Sequence, residues 1–202
     1  MFITIEGLDG SGGTTQVERL RAEWARRAPG REVVCTREPS PGPVGRLLRQ
    51  ALADVTIGEG VLPYLFAADR RDHLDRVVLP ALARGAVVIS DRYALSSLAY
   101  QSAALGLDKV AALNADFPAP DLTVLLDLPP AECLARIDAR GATRERFETL
   151  PRLEQIAAAY EAGLLRLPTW RVARIDASGT PDEVAARVAE AVGQAGGGTW
   201  PR

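Results

Sequence analysis

Met1-Phe2-Ile3-Thr4-Ile5-Glu6-Gly7-Leu8-Asp9-Gly10-Ser11-Gly12-Gly13-Thr14-Thr15-Gln16 opens the chain. Residues 2–5 form a short, β-branched, apolar run, which predicts a buried strand. A glycine-rich turn follows. From residue 14 to 27, Val17, Leu20 and Trp24 recur at helical spacing, and Pro29-Gly30 ends the pattern. Strand, glycine-rich turn and helix together make a phosphate cradle, because glycines let the backbone amides curl inward and the helix start adds a favourable dipole. The phosphate-loop pattern G-x-x-x-x-G-K-[ST] is met by Gly7, Gly12 and Thr14, but Gly13 occupies the lysine position. Gly7, Gly10, Ser11, Gly12, Gly13, Thr14 and Thr15 are therefore candidate phosphate ligands. A plain strand-to-helix turn would explain the same glycines. Losing one charge-stabilising donor from such a site costs roughly 2.7–4 kcal/mol, so the missing cation is either a defect or is supplied elsewhere.

Outward from this loop, strand and helix patterns alternate. Further strands are predicted at residues 32–36, 86–90, 122–126 and 171–175. Helices are predicted at 44–53, 60–84, 96–105, 108–114, 130–139, 151–167 and 181–192. Pro80 should kink or break the long one. The strands are continuous apolar runs, which implies a parallel sheet covered on both faces. Ligands of such sheets bind beyond the carboxyl ends of the strands. The 202 residues fit one domain, residues 1–195, with a loose tail at 196–202.

Residues standing beyond those strand ends carry the chemistry. Arg37 follows the second strand and Arg92 the third, and arginine grips a phosphate with two donors. Asp91 can hold Mg²⁺ or its waters, as can the Thr14 hydroxyl; an N-cap for the next helix is the bland reading of Asp91. Phe66 and Arg70 share one helix face, as do Ser97 and Gln101. Such pairs suit a flat base that needs a stacking surface and edge hydrogen bonds. Phe66 and Tyr100 also fit an ordinary core. Arg136, Arg140, Arg144 and Arg146 flank or occupy an arginine-rich loop.

Net charge is −2, hydrophobic residues make up 47% and charged residues 25%, and the pI is about 5.6. That balance argues against general nucleic-acid binding. Cys35 and Cys133 sit in apolar stretches without metal-ligand spacing and read as buried core thiols. His73, the single histidine, cannot build a His-rich metal site. The N-terminus lacks a signal-peptide pattern and no apolar run reaches membrane-spanning length, so a cytoplasmic setting is expected.

Several blocks in order resemble bacterial thymidylate kinases. They are the opening run, then Thr36-Arg37-Glu38-Pro39, Leu65-Phe66-Ala67-Ala68-Asp69-Arg70, His73, and Val88-Ile89-Ser90-Asp91-Arg92-Tyr93. Ser96-Ser97-Leu98-Ala99-Tyr100-Gln101, Leu125-Leu126-Asp127-Leu128 and Arg146-Phe147-Glu148 follow. The resemblance spans roughly residues 1–192. It implies an α/β P-loop nucleoside-monophosphate kinase fold with a five-stranded parallel sheet and a short arginine-rich lid at about 136–150. It implies phosphorylation of dTMP to dTDP by ATP with Mg²⁺, toward dTTP, and a homodimer. By resemblance, Arg37 and Arg92 hold the dTMP phosphate. Asp9 meets the deoxyribose near its 3′-hydroxyl, Phe66 stacks on the base, and Arg70, Ser97, Tyr100 and Gln101 complete its site. Asp9, Arg92, Arg140, Arg144 and Arg146 are the catalytic candidates, and a lid arginine could compensate for Gly13. The chain departs from the family at Gly13 and at Ser40-Pro41-Gly42-Pro43. A catalytically silent nucleotide-binding homologue, or a kinase of another pyrimidine monophosphate, are the alternatives.

Overall fold

The structure is a computed structural model that describes residues 1–54, 56–141 and 147–196. Five strands, β1 (Phe2–Gly7), β2 (Val33–Arg37), β3 (Val87–Asp91), β4 (Leu122–Asp127) and β5 (Val172–Asp176), form one parallel sheet in the order β2-β3-β1-β4-β5. The helices are α1 (Gly13–Arg27), α2 (Pro43–Ala53), α3 (Leu62–His73), α4 (Leu79–Ala83), α5 (Ala94–Leu105), α6 (Leu107–Asn114), α7 (Pro130–Ala139), α8 (Leu150–Leu164) and α9 (Pro181–Ala195). Parallel strands require such crossovers, and the crossovers cover the sheet.

The central strand β1 is buried along its whole length. It lies between β3, with Ile5 opposite Asp91, and β4, with Gly7 opposite Leu126. Val17, Leu20 and Trp24 of α1 are buried as their spacing predicts. They join Ile3, Ile5, Val124 and Leu126 of the sheet and Val184 and Val188 of α9 in the main core. Each fully buried aliphatic side chain contributes about 1.5–3 kcal/mol, and this core fixes the loop that leaves β1.

Two expectations are corrected. The long helix at 60–84 neither stops nor simply kinks at Pro80. A π turn at Leu74–Val78 precedes α4, where Pro80 sits in the first turn and needs no amide donor. Cys133 is buried, but Cys35 is exposed. The reason is strand order: β2 is an edge strand, only partly covered along its length.

Among the described residues, no helix is long and apolar enough to cross a membrane. Residues 197–202, most of the expected tail, lie outside the described residues.

Candidate active site

The loop between β1 and α1 owes its shape to two glycines. Gly10 has φ 86°, and a Cβ there would lie 2.4 Å from the Cys133 carbonyl oxygen of α7. Gly12, with φ 100°, is the left-handed residue that starts α1. The first bond of that helix runs from the Gln16 amide to the Gly12 carbonyl. The amides of Gly13, Thr14 and Thr15 therefore have no helical acceptor and face outward as anion donors. They line a cavity of about 440 Å³ with Gly7, Gly10, Ser11, Gly12, Asp91, Arg92, Arg136 and Arg140. That volume lies in the range of small-ligand sites.

Gly13 faces a carboxylate. A Cβ at position 13 would lie 2.9 Å from Asp91 Oδ1. Thr14 Oγ1 donates to Asp91 Oδ2 at 2.6 Å. The N-cap of α5 is Tyr93, not Asp91, so the capping alternative for Asp91 falls. Thr14 and Asp91 thus present a hydroxyl and a carboxylate oxygen side by side, hard donors that fit Mg²⁺. Among the described residues there is no cluster of three or more acidic, His or Cys side chains for a metal.

Arg92 is the only non-glycine described residue with positive φ, at 72°. Its amide donates to the Ile5 carbonyl at 2.8 Å, and the next amide, Tyr93, donates to Glu6 Oε1 at 2.9 Å. These bonds hold the strained turn, and the side chain bends back beneath the loop. One guanidinium nitrogen donates to the Gly7 carbonyl and Ser96 Oγ, both at 3.1 Å. The other donates to Asp9 Oδ1 at 2.6 Å and to the Tyr100 hydroxyl at 3.2 Å. The Tyr100 hydroxyl also accepts the Asp9 amide at 3.1 Å, and the guanidinium lies 4.8 Å over the Tyr100 ring. Desolvation opposes the charge on Arg92, but Tyr100, Asp9, Tyr160 and Asp91 around it hold its pKa well above the ordinary value. Strain of this kind concentrates where a side chain must point one way.

The base-side candidates stand apart from that cluster. Arg70 is buried, with 1% of its side chain exposed. It donates to Glu38 at 2.6 and 3.0 Å, to Ser97 Oγ at 3.0 Å and to Asn114 Oδ1. Its guanidinium lies over the Tyr93 and Phe117 rings. Gln101 is buried one turn beyond Ser97, and its Oε1 has no hydrogen-bond partner. Phe66 is half-buried against Leu48, Ala51 and Leu62. Arg37 is exposed at the end of β2, opposite Asp91. Tyr100 belongs to the Arg92 cluster, with edge-on contacts to Phe147 and Tyr160.

Arg140 pairs with Glu148 Oε1 at 2.6 Å and is about half exposed. Arg136 donates to the Ala177 carbonyl at 3.0 Å. Arg144 and Arg146 lie outside the described residues.

Comparison with known proteins identifies the family. The thymidylate kinase family profile matches residues 5–188. The chain belongs to the thymidylate kinase family. It is 45% identical to a thymidylate kinase of Xanthomonas oryzae pv. oryzae (strain PXO99A) over 91% of this chain and 79% of the relative. It is 46% identical to one of Xanthomonas campestris pv. campestris (strain B100) over the same shares. A probable thymidylate kinase of Pyrobaculum aerophilum is 42% identical over 95% of both chains. Within a thymidylate kinase fold, the Arg-Glu-Pro run has a second use that its sequence does not advertise. Glu38 turns inward to Arg70 and to His73 Nδ1 at 3.1 Å, and His73 Nε2 lies 2.6 Å from Thr36 Oγ1. Ser40, in the divergent segment, is buried and its amide donates to Asp69 at 2.7 Å. Glu38, Asp69, Ser96, Asn114 and Tyr160 escaped sequence reasoning as site-shaping residues. The quoted family blocks contained Glu38, Asp69 and Ser96 without a role for them.

Proposed function

We propose that this protein transfers the γ-phosphoryl group of ATP to dTMP, giving ADP and dTDP, as a cytoplasmic enzyme on the route to dTTP. Family membership over nearly the whole chain supports the reaction class. The single observation that carries the site assignment is Arg92, held in a left-handed turn with its guanidinium between the phosphate loop and Asp9.

In this reading a phosphate oxygen of dTMP attacks the γ-phosphorus, and the bond from the γ-phosphorus to the bridging oxygen breaks, leaving ADP. The chain's task is to align the two phosphates and offset their charge. Amides of the loop from Gly10 to Thr15 hold the donor phosphates. Arg92 and Arg37 hold the acceptor phosphate. Asp9 orients Arg92 on one side and the deoxyribose on the other. Phe66 stacks on thymine, with Gln101, Ser97 and the remaining N–H of Arg70 at its polar edge. Thr14 and Asp91 would hold Mg²⁺, which supplies charge neutralisation at the phosphates when bound. One of Arg140, Arg144 or Arg146, from the lid segment 136–150, partly compensates for the cation that Gly13 lacks. Arg136 fixes the loop after β5 at the rim of the same cavity.

Self-association through α2 and α3 is supported by the exposed side chains of Leu47 on α2 and Tyr64 on α3, at 52% and 54%. Light scattering at micromolar concentration should give twice the chain mass.

The test is ADP release from ATP and Mg²⁺ with dTMP, dUMP or no acceptor. The reading requires acceptor-dependent turnover that is fastest with dTMP. Tight dTMP binding without ADP release would point to a silent nucleotide-binding homologue.

A further inference from the structure

A second set of polar groups lies beneath the phosphate loop. Glu6 is 1% exposed. Its Oε1 accepts the Tyr93 amide at 2.9 Å, and its Oε2 accepts the hydroxyl of Ser96. The Tyr160 hydroxyl, carried in from α8, donates to the Gly7 carbonyl at 2.9 Å and accepts the Gly7 amide at 3.2 Å. It lies 3.0 Å from Ser96 Oγ and 3.4 Å from both Glu6 Oε2 and the Arg92 guanidinium.

Hydrogens decide how this set works. Each hydroxyl has one to give. When Glu6 is ionised it takes the Ser96 hydrogen, and the Gly7 carbonyl takes that of Tyr160. Both oxygens then turn lone pairs toward Arg92, which donates to Ser96 at 3.1 Å. When Glu6 carries a proton it becomes a donor to Ser96. The Ser96 hydrogen must then point elsewhere, and Arg92 competes for an acceptor it previously had to itself.

We infer that Glu6, Ser96 and Tyr160 are positioning residues that set the orientation of Arg92 toward the acceptor phosphate. This rests on the reading that Arg92 holds that phosphate. Charged and titratable groups facing Glu6 are Arg92 after β3, Arg70 from α3 and Tyr160 from α8. Burial, the largest influence, outweighs the Ser96 bond and the arginines and lifts the Glu6 carboxyl to about 7. The device therefore changes state within the range where dTMP binding can be measured.

The experiment is dTMP titration calorimetry at pH 6, 7 and 8 on the unmodified protein, Glu6→Gln, Tyr160→Phe and Arg92→Ala. Unfolding curves check that each variant is folded. Glutamine mimics the protonated carboxyl, so Glu6→Gln should match the unmodified protein near pH 6 and bind about fivefold more weakly at pH 8. Titration of dTMP itself is common to both and cancels in the ratio. Tyr160→Phe should weaken binding about tenfold at pH 8, as expected for losing a hydrogen bond to a charged group. A Glu6→Gln ratio that stays constant with pH would overturn the inference. So would a folded Tyr160→Phe with unchanged affinity. If Arg92→Ala binds dTMP normally, the acceptor-site reading itself fails. If Arg92→Ala alone loses binding, only the positioning role fails.

Discussion

In the proposed reading, the acceptor and donor sides of the cavity are built differently. Around Arg92, nearly every polar group is engaged before any substrate arrives: Asp9, Tyr100, Ser96, the Gly7 carbonyl and, beneath them, Glu6 and Tyr160. On the donor side, the loop amides stand open, Gly13 offers no side chain, and Arg140 is paired with Glu148. The acceptor side spends backbone strain at Arg92 to be rigid. In the proposed reading the donor side leaves its cations on the lid segment. Closure can then bring guanidinium groups to the transferring phosphoryl only when ATP is present and exclude water at the same time. The chain's composition fits this division: Lys109 is the sole lysine among 24 basic residues, so cationic work falls to arginine.

Breaking the rigid side should have the largest effect. Arg92→Ala removes the acceptor cation and leaves Asp9 and Ser96 without it; kcat/KM for dTMP should fall by about 10³ or more. Initial rates at low dTMP measure this, and a fall below tenfold would remove Arg92 from the site. Arg140→Ala acts on the donor side. It should lower kcat by about 10²–10³ with little change in dTMP affinity, which single-turnover kinetics with saturating dTMP would read. A lowered affinity with unchanged kcat would mean that Arg140 shapes the pocket and takes no part in transfer.

A third prediction separates the two sides by stability instead of turnover. Glu6 has its carboxyl raised from 4.5 to about 7 in the fold. Between those values the native chain holds a proton that the unfolded chain has released, so stability falls as pH rises through that window. The total is about 3 kcal/mol by linkage. Denaturant unfolding at pH 5, 6 and 7 should show the unmodified protein losing ground to Glu6→Gln as pH rises. Parallel pH profiles would contradict this burial-driven shift. Arg140→Ala, at the half-exposed end of α7, should leave the same curves within about 0.5 kcal/mol.

Much of this was legible in the sequence, for reasons that differ by element. The phosphate loop, Asp91 and Arg92 follow strands whose apolar runs are continuous, so their place at the sheet's carboxyl edge was readable from local pattern. Helix α1 carried its burial in the spacing of Val17, Leu20 and Trp24. What escaped was long-range polar pairing. Tyr160 reaches Gly7 across 153 positions and Asn114 reaches Arg70 across 44, and neither has a local signature. Cys35 departs from its local pattern because its run is apolar while its strand is at the edge. Pro80 signals a break in the helix pattern, but the π turn that accommodates it depends on the packing of Leu74 and Val78.

Gly13 concentrates the contrast. A lysine there would have to push the Asp91 carboxylate away from a Cβ at 2.9 Å, disturbing its bond to Thr14, while adding a cation that, in the proposed reading, a lid arginine supplies. The most direct measurement is kcat for ADP release from ATP, Mg²⁺ and dTMP, for the unmodified protein beside Gly13→Lys. The account predicts clear turnover by the unmodified protein and a change of less than about tenfold on adding the lysine, well short of the 10²–10³ that an uncompensated donor would cost. No turnover from the unmodified protein, with activity gained in Gly13→Lys, would contradict it.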